Sequence, residues 1–166
     1  KNLHLTPRSA IPAFMSIEFK IPGGLKPKGR PRMTKTGHVY TPQSTVNSEA
    51  YVRQVFADLF PFHRAFKNPL TCEIEFYRPP PNGWPKWKRQ AAMDGTYYDD
   101  KGADLDNKGK LILDALNGVA YRDDKQIVQL NIMKSFSDDS YVYIRIAELQ
   151  QPTYRGNHGK RIMAAN

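Results

Sequence analysis

A short charged segment of the sequence has the residue types and spacing of a metal site. Asp104 and Asp106 lie two residues apart, and Lys110 follows Asp106 by four residues. If residues 104–106 are extended, both carboxylates point to the same side, where they can bind a hard cation such as Mg²⁺, which prefers oxygen ligands. Lys110 then lies about one helical turn from Asp106, close enough to neutralise or protonate a bound group.

The same residues also have an ordinary structural interpretation. Asp106 or Asn107 would cap a helix that begins here, and Asp106 and Lys110 have the spacing of a solvent-exposed salt bridge. A cap needs only one aspartate, however, and the second charge of Asp104 creates a repulsion that a bound cation would relieve. A further acidic pair, Asp123-Asp124, precedes a predicted strand, and the sequence leaves open whether it folds back toward Asp104.

Apolar patterns along the chain predict one α+β domain around these residues. Strands are predicted at residues 14–21, 70–77, 127–133 and 141–147. Helices are predicted from Ser44 or Thr45 to about Leu59 and from Asn107 to Leu116. This order predicts a small mixed sheet of about four strands with two main helices on one face, ending in a hairpin through residues 137–140.

The segments outside these elements are expected to be irregular. Residues 79–103 are interpreted as loop, with a possible short helix around residues 84–89. Residues 1–13 are expected to form a polar leader, residues 14–149 the folded domain, and residues 150–166 a basic, flexible tail.

The charge balance of the chain favours a polyanionic partner. Lysine and arginine total 25 against 16 aspartate and glutamate residues, which gives a formal charge of +9. Cations concentrate in a proline- and glycine-containing loop, and four of them are candidate DNA-binding residues: Lys28, Arg30, Arg32 and Lys35. Tyr97 and Tyr98 could stack on exposed bases or belong to the core. The alternative for the loop is an ordinary solvated segment.

Several other classes of protein and site are excluded or disfavoured by the sequence. Cys72 is the only cysteine, so no intrachain disulfide and no cysteine-rich zinc site can form. The four histidines lie far apart without metal-ligand spacing. No apolar run approaches the ~18 to 20 residues that span a bilayer. We therefore expect a soluble, unsecreted protein of a reducing cytoplasm, not associated with membranes.

Taken together, these motifs resemble those of the RusA-type Holliday junction resolvases. The Asp-x-Asp-Asn motif of that family, with a lysine three residues further on, reads here as Asp104-Leu105-Asp106-Asn107 and Lys110. Its helix end and its Asp-Asp pair read as Asp114-Ala115-Leu116 and Asp123-Asp124, and its basic signature in phage-borne members as Lys28-Gly29-Arg30-Pro31-Arg32 and Tyr40-Thr41-Pro42. The resemblance covers roughly residues 14–148. It departs from the family at Gly102-Ala103, where Lys-Pro often precedes the first aspartate.

The resemblance implies a RusA-like fold and a metal-dependent DNA endonuclease of recombination and repair. Asp104, Asp106 and Asp124 would bind Mg²⁺, for which Mn²⁺ can substitute, and Lys110 would be a catalytic partner. Carboxylate-bound magnesium can activate water for phosphodiester hydrolysis, while Lys110 stabilises the charge that develops on the phosphate. The substrate would be a four-way junction, which the enzyme resolves by paired symmetric nicks in opposite strands.

The near two-fold symmetry of a four-way junction, like the resemblance, predicts a homodimer. The two terminal strands and the helix from Ser44 to Leu59 are candidate dimer interfaces. Two other functions are compatible with the same residues: a nuclease for other branched DNA, such as flaps and forks, and a non-catalytic basic nucleic-acid-binding module. The binding module would show no dependence on magnesium.

Overall fold

The computed structural model describes residues 13–26, 29 and 32–150, without the side chains of residues 13, 14, 32 and 40. Its elements, in chain order, are β1 (Ala13–Pro22), β2 (Arg32–Met33), β3 (Val39–Tyr40), α1 (Gln43–Leu59), β4 (Leu70–Arg78), α2 (Lys86–Met93), α3 (Leu105–Leu116), a 3₁₀ turn (Asp124–Gln126), β5 (Ile127–Phe136) and β6 (Tyr141–Leu149). None of the described helices is long and apolar enough to cross a membrane.

The central sheet has four strands in the order β1-β6-β4-β5. β6 is antiparallel to both β1 and β4, whereas β5 is parallel to β4, so the predicted α+β fold with a mixed four-stranded sheet is confirmed. The predicted terminal hairpin is wrong, because β4 separates β5 from β6. The connection between them crosses the end of β4, where the Ser137 N–H donates to the Arg78 carbonyl at 3.1 Å.

The burial of the two last strands explains this order. Val142, Ile144 and Ile146 of β6 are at most 2% exposed, which suits a strand with neighbours on both edges. β5 instead exposes four consecutive residues from Val128 to Asn131, and it lies at the edge of the sheet.

The core forms between the sheet and helices α1 and α3. Apolar residues alternate along β4 as predicted, with Leu70, Cys72, Ile74 and Phe76 buried. Burying one such side chain contributes about 1.5–3 kcal/mol. The helix residues that pack in the same cluster are Val52 and Phe56 of α1 and Ile112, Ala115 and Leu116 of α3.

Helix α1 starts differently from the prediction. It begins at Gln43 with Pro42 at the N-cap position, so neither Ser44 nor Thr45 caps it. Proline fits this position because its φ, here −55°, is already close to helical. Thr45 is fully buried instead, and its Oγ1 accepts a hydrogen bond from the Gly29 N–H at 2.9 Å.

Helix α2 occupies a segment that the sequence predicts to be mostly loop. It runs for eight residues after Pro85, and Trp84 anchors it through edge-to-face contacts with Tyr97 and Phe136, at centroid distances of 5.2 and 5.4 Å. Only Ala92 of the helix itself is buried, so an apolar stripe, the usual signal of a helix, is missing from its sequence.

Candidate active site at the start of helix α3

The two candidate ligands Asp104 and Asp106 lie at the N-terminus of α3. The helix begins at Leu105, two residues earlier than predicted, with Asp104 at the N-cap position and Asp106 in the first turn. Residues 104–106 are therefore not extended throughout: only Asp104 is, with φ −60° and ψ 141°. Leu105 packs against the core, which favours the earlier start.

Both carboxylates remain available to a ligand. The Asp104 side chain makes no capping hydrogen bond, although it occupies the capping position, and both aspartates are exposed. The positive end of the helix dipole favours negative charge at this position. Asp104 and Asp106 thus lie within the first turn of one helix, and neither carboxylate forms an ion pair among the described residues.

Lys110 lies one turn further along α3 and is also exposed. Within the described part of the chain, no ion pair joins it to Asp106 or to another carboxylate. The solvent-exposed salt bridge that the sequence allows is not formed, and the ammonium group is free to meet a substrate.

Asp124 lies at the other end of the helix. β5 starts beside Leu70 at the beginning of β4, whereas the ammonium of Lys108, near the start of α3, lies 5.1 Å from the centre of the Phe76 ring near the end of β4. α3 has 12 residues, which at about 1.5 Å per residue makes it about 18 Å long. Asp124 is therefore about a helix length from Asp106.

No three histidine, cysteine, aspartate or glutamate side chains of the described residues are grouped closely enough to hold one metal ion. The aspartate pair at the start of α3 fits a hard cation as a partial ligand set. The three predicted ligands do not meet within a single chain.

The two aspartates before β5 have different environments. Asp123 forms a capping box with Gln126: its Oδ1 accepts from the Lys125 N–H at 3.0 Å, and its own N–H donates to Gln126 Oε1 at 3.0 Å. The hydrogen bond from the Lys125 backbone is the main reason that the pKa of Asp123 is lowered. Asp124 is exposed, whereas the carboxylate of Asp123 is engaged in its own capping box.

A cluster of charged side chains around the buried Asp99 supports the chain just before Asp104, and no sequence pattern indicates it. The Arg78 guanidinium donates two hydrogen bonds to Asp99, from Nε to Oδ2 at 2.7 Å and from Nη2 to Oδ1 at 2.6 Å. Lys134 Nζ donates to the Lys101 carbonyl at 3.2 Å. These contacts fasten residues 99–101 to the ends of β4 and β5, and so fix the segment that leads into Asp104.

The cluster changes the acidity of its members. Burial raises the pKa of Asp99, but the hydrogen bonds and charge of Arg78, with the charge of Lys134, outweigh it, and the net pKa is lowered. Burial lowers the pKa of Lys108, and the charges of Lys134 and Arg78 lower it further against the attraction of Asp99. Arg78 and Asp99 are 21 residues apart, and no local pattern links them.

The predicted DNA-binding residues are only partly described. Lys28 and Arg30 lie outside the described residues, as does the side chain of Arg32. The segment was predicted to be a loop throughout. Part of it instead forms a small hairpin, in which Arg32–Met33 pairs with Val39–Tyr40. Lys35 lies exposed in its turn, where Gly37 adopts φ +83°, a value that favours glycine.

The two candidate stacking tyrosines have separate environments. Tyr97 packs against Trp84, whereas Tyr98 is 81% exposed. Only Tyr98 remains available for a base.

Comparison with known proteins identifies the family. The family model for endodeoxyribonuclease RusA matches residues 22–147. The chain is also 30% identical over 138 residues to a Bacillus subtilis (strain 168) protein described as "Uncharacterized protein YqaN", a match that covers 80% of this chain and 96% of that protein. RusA nucleases act on Holliday junction DNA and are generally metal-dependent. The chain therefore belongs to the RusA endodeoxyribonuclease family, whose members are hydrolytic DNA endonucleases.

Proposed function

We propose that this protein is a Mg²⁺-dependent homodimer that resolves Holliday junctions by paired symmetric nicks in opposite strands, and that Mn²⁺ can replace Mg²⁺. The observation that supports this most is the pair of exposed carboxylates at the start of α3, where Asp104 occupies the cap position without capping. If these residues served only the structure, the Asp104 carboxylate would cap the helix or the Lys110 ammonium would form an ion pair. Both are unpaired within the described residues.

The distance between Asp106 and Asp124 has a consequence for the ligand set. We assign Asp104 and Asp106 to one protomer and Asp124 to the second copy, because α3 separates them within one chain. A hard cation held by these carboxylates would lower the pKa of a bound water and supply positive charge for phosphodiester hydrolysis. The chain's own contribution is to hold two carboxylates on a rigid helix end and to present Lys110 to the negatively charged phosphate.

The free edge strand β5 suits such a dimer. Val128 and Leu130 of β5 are 62% and 44% exposed, and among the described strands β5 pairs only with β4. Antiparallel pairing of β5 with its symmetry copy would bury these side chains. In each copy, the end of β5 lies near Asp104 and its start near Asp124. Antiparallel pairing would bring the end of one β5 toward the start of the other, so Asp104 of each copy would approach Asp124 of its partner, twice per dimer.

We place the remaining roles by the same reasoning. Residues 14–149 would form the nuclease domain, and Lys28, Arg30, Arg32 and Lys35 would hold DNA phosphates, since several cations in one segment follow a backbone without reading bases. The basic signature that resembles phage-borne members suggests phage or prophage recombination in the bacterial cytoplasm as the setting.

A mixture of two inactive variants tests the shared site. Asp106→Asn and Asp124→Asn proteins should each bind an immobile four-way junction with Mg²⁺ present, yet not cut it. After the two are unfolded and refolded together, mixed dimers would carry one intact site and one doubly damaged site. They should nick a single strand of the junction.

A ligand set contained within each chain predicts the opposite result. If both ligand sets lay within single chains, the mixed dimer would have one lesion in each site, and the mixture would stay as inactive as its parts. Asp100→Asn is the matched control, because Asp100 is exposed and lies outside the proposed ligand set; it should cut like the wild type. A parallel panel of flaps, forks and junctions tests whether junctions are preferred over other branched DNA.

A further inference from the structure

A second basic surface lies beside the candidate active site and takes no part in it. Lys86 and Arg89 of α2 are exposed, and Trp87 between them is 68% exposed. Within the described part of the chain, neither cation pairs with a carboxylate. Trp87 therefore presents a largely exposed aromatic side chain between two unpaired cations, a combination that can bind the bases and phosphates of a nucleic acid.

Aromatic contacts hold α2 at the end of the sheet that carries Asp104. Trp84, just before the helix, packs against Phe136 at the end of β5, and the Arg78 guanidinium lies 5.0 Å from the centre of the same Phe136 ring. Arg78 in turn binds Asp99, five residues before Asp104. The surface is thus fixed in position relative to the start of α3.

The charges of α2 do not serve its own stability. Three cations occupy its first four positions, and its first turn contains no acidic residue, an arrangement that the helix dipole disfavours. Lys88 has an internal role, because its ammonium lies 3.9 Å from the centre of the Trp84 ring. Lys86 and Arg89 have no ion pair or cation–π contact among the described residues, which favours an external anionic partner.

A cleft of about 540 Å³ adjoins the two cations. Its apolar wall includes Pro80, Trp84 and Met93, and its polar lining includes Lys86, Arg89 and a single acidic residue, Asp138. Apolar and aromatic surface next to cations is the combination that binds single-stranded nucleic acid, with bases against the apolar surface and phosphates at the cations.

We propose that α2 and this cleft bind one strand of the DNA substrate where it is unpaired. Lys86 and Arg89 hold backbone phosphates, and unstacked bases lie against Trp87 and the apolar wall of the cleft. This inference rests on the proposed function and adds a strand-binding surface to it, distinct from the basic segment that contains Lys35. A base stacked within a duplex could not reach this wall, so the surface requires an open junction or another unpaired region.

The chain offers a direct probe, because its two tryptophans are Trp84 and Trp87. Tryptophan emission would be followed while an immobile four-way junction is added in EDTA, and the anisotropy of the same labelled junction would report total binding. Emission should change in proportion to binding. The change should persist in part in Trp87→Phe, where only Trp84 of the cleft reports.

Salt dependence supplies the quantitative test. Removal of two phosphate contacts by Lys86→Ala/Arg89→Ala should make the slope of log affinity against log salt shallower by about 1.4, at about 0.7 per single-strand phosphate, and lower affinity at least ~10-fold at 0.1 M salt. The charge-preserving swap Lys86→Arg/Arg89→Lys is the matched control and should retain the wild-type slope. Both sites are exposed, so neither variant should disturb folding.

The outcomes separate this inference from the proposed function. An unchanged slope in the alanine variant, or unchanged tryptophan emission while anisotropy saturates, overturns the α2 surface and leaves the nuclease intact. Failure of the wild-type protein to bind any branched DNA overturns the proposed function, and the α2 surface with it.

Discussion

Replacement of Asp99 by asparagine should test the charge cluster around this residue, which supports the segment before Asp104. The Asp99 side chain is 1% exposed and accepts both hydrogen bonds of the Arg78 guanidinium, which is itself 34% exposed. Asparagine keeps the size of the side chain but removes its charge and leaves one guanidinium N–H facing an amide NH₂.

The stability that Asp99→Asn should lose can be estimated from two kinds of interaction. Breaking a fully buried ion pair costs about 3–5 kcal/mol, and a hydrogen bond to a charged group contributes about 1.5–3 kcal/mol. Because Arg78 keeps partial access to water, the lower part of this range applies. We expect the free energy of unfolding to fall by about 2 kcal/mol, and Tm to fall by about 4–8 °C at about 2–4 °C per kcal/mol.

Urea unfolding at several pH values provides the assay. The pKa of Asp99 is lowered in the folded protein, so its contribution is complete above the unfolded carboxyl pKa of about 3.9 and is lost as pH falls through the lower folded value. The difference between wild type and Asp99→Asn should therefore be constant from about pH 5 to 7 and shrink below about pH 4.

Asp100→Asn is the control for this experiment. Asp100 pairs with Lys101 at 3.4 Å on the surface, with side chains 63% and 77% exposed, so its replacement should cost less than about 1 kcal/mol. The reasoning would be refuted if the two variants lost equal free energy of unfolding, or if the loss in Asp99→Asn did not shrink in acid. At a temperature where it stays folded, Asp99→Asn should also cut junctions more slowly, because the segment before Asp104 loosens.

Cys72, Gly109 and Lys110 give three further predictions. The Cys72 thiol should resist a thiol reagent in native protein at pH 8, since burial raises its pKa to about 12, and should react only after unfolding; fast native labelling would contradict this. Gly109→Ala should destabilise by about 1 kcal/mol in urea unfolding, because the added Cβ would overlap Ile132 Cδ1 while alanine's helix propensity offsets part of the cost. Adding Ile132→Val should recover that loss, and no recovery would rule out the overlap. Lys110→Ala should slow junction cleavage about 100-fold with an unchanged urea midpoint; a wild-type rate would remove Lys110 from the site.

The strands and the acidic motif could be predicted because their signals are local. In β4, burial alternates from Leu70 to Phe76 as the apolar residues do. The two-residue repeat of apolar side chains was therefore sufficient to predict the strand and its buried face. Asp104, Asp106 and Lys110 lie within seven residues of one another, and one helix terminus brings them together in any fold that forms it.

The features that could not be predicted depend on distant partners. The hairpin expected from β5 and β6 does not form because β6 lies between β1 and β4, where Val142, Ile144 and Ile146 are buried. α2 is held by Trp84, Tyr97 and Phe136, outside the helix, and Arg78 meets Asp99 only in the folded chain. The separation of Asp124 from Asp106 likewise appears only once α3 is placed along the sheet.

The most direct test of the nuclease site is cleavage of a labelled immobile four-way junction and its linear duplex, with and without Mg²⁺, by wild-type and Asp106→Asn protein. We predict paired symmetric nicks in the junction alone, only with Mg²⁺, and none by the variant, which still binds the junction. Undiminished cleavage by Asp106→Asn, or binding without cleavage by the wild type under every condition, would contradict the assignment of the active site to the start of α3.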